Sequence, residues 1–139
     1  MNDDELKKLI KQEEGCRLSA YADSRGNLTI GYGHLLKFGS TIPQEAADII
    51  FEADFQRAVD DYAKLELQLD LGRRAVIVDM IFNMGLATVR KFSMMLKYLH
   101  DKNWIQAAYE LMNSEYAKQV PERAKRNRDR LLRGYGCKI

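Results

Sequence analysis

The chain has 139 residues, of which 46% are hydrophobic and 30% are charged, with two prolines and no low-complexity run. This composition is typical of an ordered globular protein and excludes a disordered one. The net charge is +2, no apolar stretch approaches the roughly 20 residues of a membrane-spanning helix, and the N-terminal sequence MNDDELKKLIKQEEG lacks the apolar character of a signal peptide. We therefore expect a protein made in a cytoplasm that does not insert stably into a membrane.

The first predicted element is a short amphipathic helix over residues 3–14. Its apolar residues Leu6, Leu9 and Ile10 recur at spacings of three and four residues. Gly15 follows as a helix stop, because glycine readily adopts the backbone conformations that end a helix.

A β-hairpin is predicted next, with its turn near Ser24 to Asn27, where the sequence SRGN has turn chemistry. Beyond the turn, residues 28–33 alternate between larger apolar side chains and small or polar ones. This alternation predicts a strand with Leu28, Ile30 and Tyr32 on its buried face.

The remainder of the chain is predicted to be helical. Pro43 suits the first turn of a helix over about 44–64. The segment from Ala75 to Met84 is apolar nearly all round apart from Asp79, so we expect it to form the centre of the core, with Asp79 paired or hydrogen-bonded. Shorter helices are predicted over about 89–100, 104–112, 115–118 and 122–133.

The predicted fold class is α+β, predominantly α. A chain of this length is expected to form a single domain, residues 1–139. We expect a small hairpin lobe over about 15–42 and a connecting helix over about 44–64. A helical lobe over about 65–139 is expected to include the N-terminal helix 3–14.

The carboxylates near the hairpin suggest acid–base chemistry. Hydrolysis of a glycosidic bond needs one carboxyl group that stays protonated and one that stays ionised. The negative end of the helix dipole and partial burial in a cleft would keep a glutamate at the helix end protonated. Asp23, beside the polar turn, should stay hydrated and ionised. Periodicity alone does not choose between Glu13 and Glu14 as the acid.

The same residues also have ordinary structural explanations. Glutamates on a helix are usually solvated, and Asp23 could simply open the turn. His34 has no second histidine or cysteine nearby, which favours a structural imidazole over a metal ligand or a catalytic base. Cys16 and Cys137 lie near opposite ends of the chain, and the sequence leaves open whether they form a disulfide.

A longer pattern resembles a known family. The run EEGCRLSAYADSRGNLTIGYGHLL is similar to the active-site region of the phage-type lysozymes, the T-even bacteriophage endolysin family. The matching residues are Glu14, Gly15, Leu18, Tyr21, Asp23, Gly26, Thr29, Ile30, Gly31, Gly33, His34 and Leu35. The segments RRAVIVDMIFNMG, FSMMLKYLHDKNWIQAA and PERAKR also agree with this family, in the same order. The resemblance therefore covers nearly the whole chain and implies a lysozyme-like fold.

The resemblance also implies a role for each matching site residue. Glu14 corresponds to the proton-donating glutamate, and Asp23 and Thr29 to the pair that positions the attacking water. Leu35 and Phe82 correspond to residues that line the saccharide groove. His34 and Asp54 correspond to a structural pair. No metal or cofactor is implied.

The function implied is that of an endolysin, a muramidase that cuts the β-1,4 bond between N-acetylmuramic acid and N-acetylglucosamine in peptidoglycan. The resemblance points to an inverting single displacement. Such an enzyme would stay in the host cytoplasm until a holin, its genetic partner, released it to the periplasm and cell wall, where it would cause lysis. We expect a monomer that does not bind nucleic acid.

Two alternatives belong to other classes of function. The C-terminal segment RAKRNRDRLLRGYGCKI has seven basic residues and a single acid, so the chain could be a catalytically weak cationic protein that binds cell walls or disrupts membranes. A lytic transglycosylase on a related fold would leave anhydro-muramic ends, whereas a lysozyme leaves reducing ends.

Overall fold

The structure, a computed structural model, describes residues 1–134. The chain divides into two compact units, Met1–Ala46 and Ala47–Ile139. Helices dominate, and a small three-stranded antiparallel sheet lies near the N-terminus, so the predicted α+β, predominantly α, fold class is confirmed. The single domain, its lobe boundaries and the placement of residues 3–14 in the helical lobe stay predictions.

Helix α1 (Asp3–Glu14) opens the first unit and has the predicted bounds. A capping box starts it: the Glu5 N–H donates to Asn2 Oδ1 at 2.9 Å, and the Asn2 N–H donates to Glu5 Oε2 at 3.0 Å. None of its residues is buried, and the exposed fraction of Ile10 is 49%. The amphipathic pattern therefore predicts the helix correctly, although none of the apolar residues of the helix is buried.

Three strands complete the first unit: β1 (Arg17–Ala22), β2 (Leu28–Gly31) and β3 (His34–Leu35), paired in the order β1-β2-β3. The hairpin turn between β1 and β2 lies where the sequence SRGN predicts it. The predicted buried face of β2 is wrong. Thr29 is buried, whereas Leu28 is about half exposed and Tyr32 lies beyond the end of the strand.

A hydrogen bond explains how a threonine replaces the expected leucine on the buried face. The Thr29 hydroxyl donates to the Tyr21 carbonyl oxygen at 3.2 Å, so its polar group is satisfied when it leaves water. Hydrophobic alternation does not detect such a bond, because it ranks side chains by polarity alone.

The second unit is helical. The boundary between the units falls in the first turn of α2 (Gln44–Ala63). The helices that follow are α3 (Leu71–Met84), α4 (Leu86–Arg90), α5 (Ser93–His100), α6 (Trp104–Met112), α7 (Glu115–Gln119) and α8 (Pro121–Arg133). The core of this unit includes residues of α3 that are wholly buried, namely Val76, Ile77 and Met80. The prediction that this segment forms the centre of the core is confirmed.

The predicted helix over residues 89–100 is wrong, because two helices occupy this region. The N–H groups of Lys91 and Phe92 bond back three residues, to Thr88 and Val89, at 3.1 and 3.0 Å. This tightened turn ends α4. A new helix, α5, then starts from the Phe92 carbonyl, which accepts from the Leu96 N–H at 3.0 Å.

Candidate active site

Glu14 is the last residue of α1. Gly15 ends the helix with a φ of +67°, and its N–H donates to the Lys11 carbonyl at 2.9 Å. The carboxyl group therefore lies at the C-terminal end of the helix, beside the first residues of the hairpin. The side chain is exposed. The helix end thus exposes the candidate general acid to solvent.

The Glu14 carboxylate packs directly against Gly33. A Cβ atom at Gly33 would overlap Glu14 Oε2 and would lie 3.1 Å from Glu14 Cδ. The φ of Gly33 is +68°, a conformation that also favours glycine. Sequence reasoning recognised Gly33 as part of the motif but missed this contact, which distinguishes Glu14 from Glu13 in space.

Asp23 follows β1 and organises the hairpin turn. Its Oδ1 atom accepts hydrogen bonds from the backbone N–H groups of Arg25 and Asn27 at 2.9 and 2.8 Å. The Asn27 N–H is the main cause that lowers the pKa of Asp23 below its ordinary value, and the Arg25 N–H and the Asn27 amide add to it. Asp23 is therefore ionised at neutral pH. Its Oδ2 atom has a long contact of 3.5 Å with Asn27 Nδ2.

Thr29 and Leu35 are direct neighbours across the sheet. The register pairs Tyr21 with Thr29 and Thr29 with Leu35, so their side chains lie on one face. The Thr29 hydroxyl oxygen donates its proton to Tyr21 and can still accept a hydrogen bond. His34 pairs with Ile30 on the opposite face and is exposed.

The remaining predicted site residues lie in the second unit. Phe82 is 42% exposed and contacts the Phe51 ring, with 5.6 Å between ring centroids. It lines a cavity of about 480 Å³ together with Phe55 and Arg123. The Asp54 carboxylate lies 3.6 Å from Arg57. The pairing of Asp54 with His34 stays a prediction.

A polar network borders this cavity. Arg123 donates two hydrogen bonds to Asp79, at 2.6 and 3.0 Å, and Asn127 donates a third at 2.9 Å. Burial acts to raise the pKa of Asp79, but these bonds and the charge of Arg123 outweigh it and hold the pKa below its ordinary value. The prediction that Asp79 has satisfied hydrogen bonds is confirmed.

Comparison with known proteins decides the family. The Phage lysozyme family model matches residues 11–130. Probable T4-type lysozyme 2 of Dictyostelium discoideum is 31% identical over 87% of this chain and 89% of its own. An endolysin of Salmonella phage P22 is 33% identical over 88% of this chain and 90% of its own. A third relative, Peptidoglycan hydrolase gp36 of Pseudomonas phage phiKMV, is 32% identical over 85% of this chain and 14% of its own.

The chain belongs to the phage lysozyme family. It is therefore a glycoside hydrolase of the lysozyme type. The matched region includes every site residue predicted from the sequence: Glu14, Asp23, Thr29, His34, Leu35, Asp54 and Phe82. The role of each of these residues in the enzyme stays a prediction.

Three further observations concern the described part of the enzyme. None of the helices in residues 1–134 is long and apolar enough to cross a membrane. Within the same residues, no three His, Cys, Asp or Glu side chains are grouped as metal ligands would be. Cys16 is exposed, and Cys137 lies outside the described residues.

Proposed function

We propose that the enzyme hydrolyses the β-1,4 bond between N-acetylmuramic acid and N-acetylglucosamine in peptidoglycan, with Glu14 as general acid and Asp23 and Thr29 positioning water. One observation carries the proposal: a carboxyl group at a helix end packs on the glycine turn between β2 and β3, in the same compact unit as the ionised Asp23 and the paired Thr29. The name of the phiKMV relative, a peptidoglycan hydrolase, supports the substrate.

Glu14, Asp23 and Thr29 have different roles in the proposed reaction. Glu14 gives its proton to the glycosidic oxygen as the bond to the anomeric carbon breaks, and positive charge develops on the muramic ring. A water molecule attacks the anomeric carbon from the opposite face. Asp23 Oδ2 accepts a hydrogen bond from this water and receives the proton that the water loses as its oxygen bonds to the anomeric carbon. Thr29 Oγ1, which already donates to Tyr21, accepts the second hydrogen bond from the water.

This arrangement predicts inversion at the anomeric carbon. Inverting enzymes separate their two carboxyl groups by about 6.5–9.5 Å to admit water, whereas retaining enzymes bring them to about 5–5.5 Å. Proton NMR during the first minutes of digestion distinguishes the two, because inversion of a β-linked substrate gives the α-anomer first.

The other predicted residues have supporting roles in this proposal. Leu35 lies beside Thr29 on the same face of the sheet, where it would contact a sugar held near the water. Phe82 offers an exposed aromatic ring in the second unit. His34 and Asp54 form a structural pair, and no metal or cofactor takes part.

The biological role proposed is lysis of a bacterial host by a phage or prophage, with a holin as genetic partner and the enzyme acting as a monomer. The P22 relative, an endolysin, supports this role. The cationic alternative is weakened by the pairing of basic residues along α8. Lys125 pairs with Glu122 and Arg128 with Asp129, while Arg123 is held by Asp79.

Glu14→Gln tests the assignment, and Glu13→Gln is its matched control. The two variants remove the same charge from adjacent residues, and both side chains are exposed. Turbidity clearing of chloroform-treated Gram-negative cells should be almost abolished by Glu14→Gln, because the amide has no proton to donate as an acid. Glu13→Gln should clear like the wild type. Lysis that survives Glu14→Gln would show that the acid is misassigned or that lysis is not enzymatic.

A further inference from the structure

An aromatic residue of β1, Tyr21, lies beside the candidate water site. The register pairs Tyr21 with Thr29, so the two side chains share one face of the sheet, with Cβ atoms about 4.5–5.5 Å apart. The Thr29 hydroxyl donates to the Tyr21 carbonyl oxygen, which ties the backbone of Tyr21 to the group that is proposed to hold water. Tyr21 is partly buried. Its ring therefore flanks the hydroxyl beside which the water would attack.

The guanidinium group of Arg17 lies over this ring. Its Cζ atom is 4.5 Å from the centroid of the Tyr21 ring, a distance suited to a cation–π interaction. In a regular strand, residues four apart are separated by about 13 Å. In β1, however, the register is irregular: Arg17 pairs with Gly31 and Tyr21 with Thr29, so four steps along β1 face two steps along β2. Such a bulge bends the strand, which helps the guanidinium to reach a ring on the Thr29 face of the sheet.

The hydrogen-bond donors of Arg17 are available to a ligand. Arg17 is exposed, and the arginines that form ion pairs within residues 1–134 are others, namely Arg57, Arg73, Arg123 and Arg128. Stacking occupies one face of the guanidinium group and leaves the N–H groups at its edge, because these lie in the plane of the group. The contact with Tyr21 also restrains the side chain, so a ligand that accepts a hydrogen bond from Arg17 costs less side-chain entropy than it would on a free arginine.

We propose that Arg17 binds the N-acetyl group of the sugar that the water attacks. This inference rests on the proposed function. The N-acetyl group is attached to the carbon next to the anomeric carbon, so it lies close to the water that Asp23 and Thr29 position. Its carbonyl oxygen accepts a hydrogen bond from the edge of the Arg17 guanidinium group, and its methyl group packs on the apolar surface of the Tyr21 ring.

This contact makes Arg17 a specificity-determining residue. A sugar that has lost its acetyl group carries an amine, which is a cation near pH 6. The amine has no carbonyl oxygen to accept the hydrogen bond, and the guanidinium group repels its positive charge. Arg17 therefore binds the acetylated sugar and also disfavours the deacetylated one, as a specific site does when it combines attraction with repulsion.

Two substrates with glycan strands of equal length test this inference near pH 6. One is purified peptidoglycan strands, and the other is the same strands after partial chemical de-N-acetylation. The wild-type enzyme should show a KM about tenfold higher for the de-N-acetylated strands, as expected for the loss of one hydrogen bond from a charged donor. KM is the measurement that decides, because an ammonium group beside the anomeric carbon opposes the positive charge that develops there and lowers kcat in every variant. Re-acetylation of the amines should restore the original KM.

Arg17→Gln should lower the ratio of the two KM values to about two, because KM rises for the acetylated strands while the repulsion of the amine is removed. Arg17→Lys should give an intermediate ratio, because lysine keeps the charge but lacks the planar guanidinium group. The matched control is Arg90→Gln, which removes an exposed arginine of the second unit and changes the net charge equally. This control should retain the wild-type ratio.

The outcomes separate this inference from the proposed function. Wild-type enzyme with equal KM for both substrates, or a wild-type ratio in Arg17→Gln, overturns the role of Arg17 and leaves the hydrolase assignment intact. An equal loss of the ratio in Arg17→Gln and Arg90→Gln would show a general effect of protein charge, and would also overturn a local site. Wild-type enzyme that cleaves neither the original strands nor the re-acetylated ones refutes the proposed function.

Discussion

Gly33→Ala should reduce activity far more than stability, because of the contact between Gly33 and Glu14. A Cβ at this position would lie 3.1 Å from Glu14 Cδ and overlap Oε2. Carbon atoms in contact prefer separations of about 3.5–4.0 Å, so the carboxylate must retreat by roughly 0.5–1 Å. The carboxylate is the flexible end of an exposed side chain, so it can move at little cost in folding free energy.

The expected effect on rate is large. Displacing a catalytic group by about 1 Å can cost roughly a hundredfold in rate, so we expect Gly33→Ala to lower kcat by about that factor. The positive φ of Gly33 adds backbone strain of about 1–2 kcal/mol for any residue with a Cβ. The free energy of unfolding should therefore decrease by that amount, and urea unfolding measures this decrease.

Gly31→Ala is the matched control for this prediction. The φ of Gly31 is +69°, nearly the same as that of Gly33, but a Cβ there would meet no atom within 4 Å. The free energy of unfolding should therefore decrease by a similar amount in both variants, whereas only Gly33→Ala should lose most of its turbidity-clearing rate. Equal rates for the two variants, measured below their melting temperatures, would refute the claim that Gly33 positions the Glu14 carboxylate.

Two further predictions follow from the carboxylates whose pKa is lowered. Asp23→Asn should severely reduce kcat and Asp23→Cys less so if Asp23 orients water, and equal losses would contradict this role. Because the folded-state pKa of Asp23 lies below 3.8, its carboxylate stabilises the fold fully above that pH, and the effect is lost as pH falls through the folded value. The pKa of Asp79 is also lowered, so its contribution to stability is likewise lost as the pH falls. Asp79→Asn should lower the free energy of unfolding by about 1–2 kcal/mol at pH 7, because the new amide NH₂ would face the donors of Arg123 or Asn127. Urea titrations should show that this loss becomes smaller below about pH 4, where Asp79 of the wild type becomes protonated. A loss that does not depend on pH would contradict the ionised pair.

Local signals in the sequence account for much of the fold. The bounds of α1 follow from its apolar spacing and Gly15, and α3 follows from a long apolar segment closed by Gly85. The division between α4 and α5 was missed because two backbone hydrogen bonds to carbonyls three residues earlier, and no glycine or proline, end α4. The burial of Thr29 was missed because it depends on a partner eight residues away.

The candidate site was predictable in part. Periodicity predicts a helix end and a turn that both carry carboxylates, but it does not distinguish Glu13 from Glu14. The family resemblance identifies Glu14 as the acid. The packing of Glu14 on Gly33 joins residues that are distant in sequence and requires the folded hairpin, so spacing alone does not reveal it. The Asp23 turn is the exception, because its hydrogen bonds reach only two and four residues ahead, within the range of local turn chemistry.

Mass spectrometry of digested peptidoglycan tests the central claim most directly. Purified strands are digested in ¹⁸O water with the wild type, Glu14→Gln and Glu13→Gln. Hydrolysis with Glu14 as the acid predicts reducing N-acetylmuramic acid ends that carry ¹⁸O, formed by the wild type and by Glu13→Gln but almost absent with Glu14→Gln. Anhydro-muramic ends without ¹⁸O, or equal product from Glu14→Gln, would contradict the account.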